Sequence, residues 1–196
     1  MFILLIIITI IIIIYFLICR RKYHNNKLYC NKHNFCIKIS SENMVEFELI
    51  KSNLYKFYLK LVDVLPCKDS RTMRLRKNFQ INNMFEVYPN NKEGDTSYSI
   101  NKGQEMGVCI RSGSDFYNIH DLNVIKFVFI HELAHVITIS QQHSEEFWKN
   151  FKYLLHNCYA NNLLKKIDYS IYPEEYCGME ISYSPFFDEN IKDYTF

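Results

Sequence analysis

Thirteen residues constrain this chain more than any others. His131-Glu132-Leu133-Ala134-His135 is followed, after a short interval, by His143. On an α-helix, residues four apart lie on one face, a turn above each other. His131 and His135 can therefore aim ring nitrogens at a single point. Glu132 sits about 100° further round the helix, placed to reach a water on an ion without ligating the ion itself. Two helical histidines, one further ligand, an open position for water and a carboxylate base form the pattern of a zinc hydrolase.

The surroundings favour this reading over a chance match. The residues 123–130 before the motif, and Leu133, Ala134, Val136 and Ile137 within or after it, are nearly all apolar. A helix that is apolar all round is buried. Two imidazoles and a carboxylate in such a helix are costly unless something partners them, and a metal ion does. His143 is the candidate third ligand. Ser144 is a good N-cap and Glu145 and Glu146 suit a helix start, so the motif helix should end near Ile139, with His143 in the turn before a second helix. The rivals for third ligand are Glu145, Glu146, Glu174 and Glu175. No glycine lies between His135 and His143, so the extended metzincin pattern is absent.

The 196 residues suffice for one domain after a distinct N-terminal segment. Phe2 to Ile18 is almost wholly Ile, Leu and Phe, and Arg20, Arg21 and Lys22 follow it. The segment would span most of a ~30 Å hydrocarbon core. Its positive flank lies on the C-terminal side, which predicts a retained single-pass anchor with the globular part in the cytosol. The expected organisation is a transmembrane anchor at 1–19, a connector at 20–40 and a domain at 41–196.

Setting aside Arg20, Arg21 and Lys22, the rest carries 20 basic and 21 acidic residues. That balance does not fit a protein that coats nucleic acid. One basic cluster, Lys68, Arg71, Arg74, Arg76 and Lys77, could meet phosphate in DNA or lipid, or form a solvated face. The seven cysteines are odd in number and include no CxxC pair. This argues against a disulfide framework and for a reducing compartment. Cys30 and Cys36, with His24 and His33, form a candidate second metal site.

Apolar spacing predicts a helix from Ser41 to about Leu65, stopped by Pro66. Strands are expected at 84–88, 96–100 and 107–111, the metal helix at about 121–139 and another helix from Ser144 to about Asn157. Strands followed by helices imply an α+β fold. The strand Gly107-Val108-Cys109-Ile110-Arg111 is expected to bind substrate backbone as an edge strand beside the ion, with Gly107 allowing close approach. Tyr98, Tyr176 and Arg111 are candidates for stabilising an oxyanion.

These residues resemble a known family. Phe85 to Pro89, Ile100 to Gln104, Cys109 to Arg111, Phe129 to His135 and His143 to Trp148 are, in order and spacing, similar to WLM-type metallopeptidases, relatives of the SprT-like proteases. Tyr176 to Met179 also resembles WLM-like proteins of large DNA viruses, for which a host or virion membrane would apply. The resemblance implies a compact zincin-like domain with Zn2+ on His131, His135 and His143, Glu132 as general base, and a protein or peptide substrate. It is associated with cleavage of proteins crosslinked to DNA, although an anchor and a near-neutral charge do not suit that role. The 135–143 interval is longer than in cellular members. A tethered scaffold with a non-catalytic zinc site is the competing reading.

Overall fold

In the computed structural model, residues 27–30, 36–39, 41–88, 96–112 and 118–192 are described. The chain divides into two compact units, Met1–Ile50 and Lys51–Phe196. In the first, β1 (Lys27–Cys30) and β2 (Cys36–Ile39) form an antiparallel pair in which Cys30 faces Cys36 in register. His24 and His33, the other members of the candidate second metal site, lie outside the described residues.

The anchor expected at 1–19 also lies outside the described residues. Among the described residues, no helix is long and apolar enough to cross a membrane. Helix α1 (Ser41–Val64) has the length, but Glu46, Glu48, Lys51, Lys56, Lys60 and Asp63 interrupt it. The expected single-pass membrane localisation, with a cytosolic domain, is overturned on this finding.

The second unit holds the remaining elements. The C-terminal part of α1 buries Leu54, Phe57, Tyr58, Leu61 and Val62, and Leu65 just after it is buried too. Their spacing is that of one helical face. Helix α2 (Ser70–Asn78) starts at Asp69, whose carboxylate accepts from Arg71 N at 2.7 Å. Strands β3 (Met84–Val87), β4 (Tyr98–Ile100) and β5 (Glu105–Cys109) form a sheet in the order β3-β5-β4, with β3 parallel and β4 antiparallel to β5. Strands β6 (Arg111–Ser112) and β7 (Asn118–Ile119) form a short antiparallel pair. Helices α3 (Leu122–Ile137) and α4 (Glu145–Ala160) follow, then a hairpin of β8 (Glu174–Tyr176) and β9 (Met179–Ile181). The architecture is the expected α+β one, with small sheets.

Helix α3 is the core of this unit. Val124, Ile125, Phe127, Phe129, Ile130, Leu133, Ala134, Val136 and Ile137 are all buried. Its first turn is capped by Asp121, which accepts from Asn123 N. At its other end, Arg74 Nε donates to Ile137 O at 2.6 Å, satisfying a carbonyl the helix cannot satisfy itself. Thr138 Oγ1 donates to Ala134 O and accepts from Asn150 Nδ2, tying α3 to α4.

Three expectations need correction here. Most of the basic cluster is built into the fold. Arg71 pairs with Asp69 and stacks 3.6 Å over the Tyr153 ring, Arg74 caps α3, and Arg76 donates to Val62 O. Nothing supports a nucleic-acid partner through Lys68, Arg71, Arg74, Arg76 and Lys77, because three of the five side chains hold the fold together. Nor is the cysteine set free of disulfides: Cys109 and Cys177 are bonded, 68 residues apart. Odd number and spacing could not reveal a pair that only the fold brings together.

The third correction concerns the strand 107–111. It is not an edge. β5 is the middle strand of its sheet, and Gly107, Val108, Cys109, Ile110 and Arg111 are all buried. Gly107 is small because the Tyr98 ring lies across it, where an added Cβ would meet that ring at 2.4 Å. Arg111 is fully buried and paired with Glu86 at 2.7 Å.

Candidate metal centre

The three histidines converge. His131 and His143 present Nε2 atoms 3.1 Å apart, and His135 and His143 present theirs 3.2 Å apart. Ligands about 2.0–2.1 Å from one tetrahedral ion would stand about 3.3 Å from each other. Both distances are close to that value, and the three ligand atoms all lie within 4.8 Å of one another, an arrangement that could hold a common cation. His131 and His135 arrive from successive turns of α3, as the motif requires. His143 comes from the connecting loop, and several contacts fix that loop. Glu146 accepts from Ile139 N and Ser140 N, both at 2.9 Å. Lys102 Nζ donates to Ser140 O, and Gln142 takes a left-handed conformation with φ 57°.

Three of the four rival ligands have other partners. Glu146 holds the loop, Glu145 pairs with Lys149, and Glu175 accepts from Gly178 N. Glu174 is exposed on β8. Among the described residues, His131, His135 and His143 form the only group of His, Cys, Asp or Glu positioned to hold an ion.

Phe147, fully buried, lies under all three rings, with centroids 4.9 Å from His131, 4.3 Å from His135 and 4.6 Å from His143. In the sequence, Phe147 has a place only within the family-like segment His143 to Trp148, with no role at the metal site. Its position in the first turn of α4, close behind His143, was the available signal. Burial pushes His131 down to about 3 and His135 to about 4, each helped by its histidine neighbours, and lowers His143 as well. The rings are thus neutral near pH 7, with lone pairs available.

Glu132 is almost completely buried. Its Oε2 has no partner among the described polar groups, and burial pushes its carboxyl up to about 8. A buried carboxylate oxygen left without a donor is costly. Next to three imidazole lone pairs, it fits a site built for a cation and a water. Glu132 and the histidines line one cleft of about 440 Å³. Thr96 to Ser99, from β4 and the residues before it, form one wall, and Tyr176 and Met179 to Tyr183 form the other.

The candidate oxyanion donors are occupied. Tyr176 Oη donates to Cys109 O at 2.5 Å and lies 2.7 Å from Ser97 Oγ. Tyr98 Oη donates to Glu105, and Arg111 is held by Glu86 away from the cleft. Tyr176 fastens the hairpin instead. The Cys109–Cys177 disulfide and a bond from Cys177 N to His120 Nε2 at 3.1 Å act at the same place.

The WLM domain family matches residues 59–170, more than half of the sequence and all of the motif. The chain belongs to the WLM domain family. An uncharacterized protein of Acanthamoeba polyphaga mimivirus is 40% identical over 106 residues, covering 52% of this chain and 53% of that one. An uncharacterized protein of Invertebrate iridescent virus 6 is 40% identical over 65 residues, covering 33% and 36%. The chain thus matches about half the length, or less, of these curated relatives. Among solved structures, the WLM-family chain aligns with Wss1 of Saccharomyces cerevisiae with a TM-score of 0.39 and 19% identity, over 47% of this chain and 71% of that one.

Proposed function

We propose that this WLM-family protein is a zinc-dependent peptidase. The reading is carried by one observation: three Nε2 atoms meet at ligand spacing inside a cleft that also contains the unpartnered Glu132 carboxylate. His131, His135 and His143 would hold the ion. Zinc bound there would polarise a scissile carbonyl and acidify a water.

The chain's own groups supply the rest. Glu132 accepts the proton of the attacking water at Oε2 and returns it to the departing amine nitrogen. Burial raises the proton affinity of that carboxyl, and a cation held at the histidines would favour its ionised, proton-accepting form. β4, an outer strand that lines the cleft, is placed to run beside an extended substrate backbone, the role the sequence reading gave to 107–111. Phe147 and the Glu146-held loop keep the three rings in register.

A structural zinc site is closed by four protein ligands. Here three converge, and His143 is exposed beside an open cleft, which favours chemistry over scaffolding. The deciding experiment compares zinc content and peptide hydrolysis in wild type and Glu132→Gln. One zinc per chain in both, with turnover only in wild type, is expected. Full activity in Glu132→Gln, or no metal in either, would sink the proposal.

A further inference from the structure

The cleft is chemically lopsided. Beyond the histidines and Glu132, it is lined by Phe127 and Val128 from α3, Trp148 and Phe151 from α4, and Met179 and Ile181 from β9. Among the described residues no lysine or arginine lines it, and besides Glu132 the carboxylate lining it is that of Glu180. Trp148 joins this surface to the metal site: its ring lies 5.5 Å from His143 on one side and meets Tyr183 edge-on at 5.4 Å on the other. A side chain adjoining a bond held at the histidines would therefore land on an aromatic shelf.

Met179 remains 48% exposed and Tyr183 41% exposed at the rim. Large apolar groups gathered around a concave opening, rather than scattered singly, mark a place where a ligand covers them. A volume of about 440 Å³ accommodates more than one side chain.

We infer that the cleft selects substrates with a large apolar or aromatic residue next to the scissile bond, seated on Trp148 between α3 and β9, and disfavours an acidic residue there. The inference rests on the peptidase reading and names the substrate class for that same site. Rejection of acidic residues follows from Glu180, which sets a like charge beside an incoming carboxylate on a shelf that, among the described residues, offers it no lysine or arginine.

Trp148 is the sole tryptophan of the chain, so its fluorescence reports occupancy directly. Blocked peptides lacking Trp and Tyr, identical except for one Phe, Leu, Gly or Asp, are titrated into zinc-loaded Glu132→Gln protein. The same peptides are digested with wild type and the fragments weighed. The Phe and Leu peptides should bind about tenfold tighter than the Gly and Asp peptides, and be cut faster in the same order. Ile181→Asp should erase the ranking. Met179→Asp, at an exposed position, serves if that variant does not fold. Equal binding of all four, or binding of none, overturns the inference. Ranked binding without cutting by wild type defeats the peptidase reading alone, and cutting without ranking defeats the selectivity alone.

Discussion

The floor and the outer wall of the cleft are held by different means. The floor is α3, the loop to α4 and the first turn of α4, and its parts are close in sequence. His131 to His143 spans twelve positions, and Glu146, Ser144 and Phe147 secure it from just beyond. The wall is the β8–β9 hairpin, which reaches the sheet through contacts far apart in sequence. Tyr176 reaches Cys109 across 67 positions and Ser97 across 79, and Cys177 is bonded to Cys109 across 68. The floor resists disruption by short-range packing. The wall depends on a few long-range ties that close large loops, so each tie matters more.

Separate changes to floor and wall test this division. The largest effect should come from chemistry on the floor with its structure left intact. Glu132→Gln is expected to lower peptide turnover by about 10²- to 10⁴-fold with zinc content unchanged, measured by initial rates and metal analysis. Phe147→Ala should damage the floor itself. Loss of a fully buried aromatic costs about 3–5 kcal/mol, and because the ring supports all three histidines, zinc affinity should fall about 10- to 100-fold. Urea unfolding and a competitive chelator read the two effects. Unchanged zinc affinity would show that Phe147 does not organise the ligands.

Cys177→Ser should affect the wall and spare the floor. Loss of the cross-link is expected to cost about 2–4 kcal/mol, to raise proteolysis in 174–183, and to leave zinc stoichiometry at one per chain. Loss of zinc along with the hairpin would break the division between the two regions.

The smallest effect lies away from both. Hydrogen bonds from Arg71, chiefly from its side chain, hold the Asp69 carboxyl below its usual range. A lowered carboxyl contributes stability above its unfolded value of about 3.9, and that contribution is lost as pH falls through the folded value. Asp69→Ala should cost about 1 kcal/mol at pH 7 through the lost cap of α2, and the difference from wild type should shrink in acid. A constant difference between pH 7 and pH 2 would contradict it.

Much of the floor was legible in the sequence because its logic is local. The four-residue spacing of His131 and His135 fixes their common face, and the apolar run around them predicts burial. Ser144 declares the start of α4, where it accepts from Phe147 N at 3.2 Å. The wall was not legible. Tyr176 and Cys177 sit in a polar, aromatic tail with no strong period, and nothing near them names Ser97, Cys109 or His120 as partners. The strand 107–111 was misjudged for a related reason. Its apolar content is the same whether it lies at the edge or in the middle of a sheet, and the decision rests with β3 and β4.

The sequence by itself determined that His131 and His135 share one helix face, since helical geometry turns residue spacing directly into side-chain direction. Only the tertiary structure decided that β4 borders the cleft, that Arg74 caps a helix, and that a disulfide holds the wall. Those outcomes depend on which distant segments meet, and that is set by packing of the whole core.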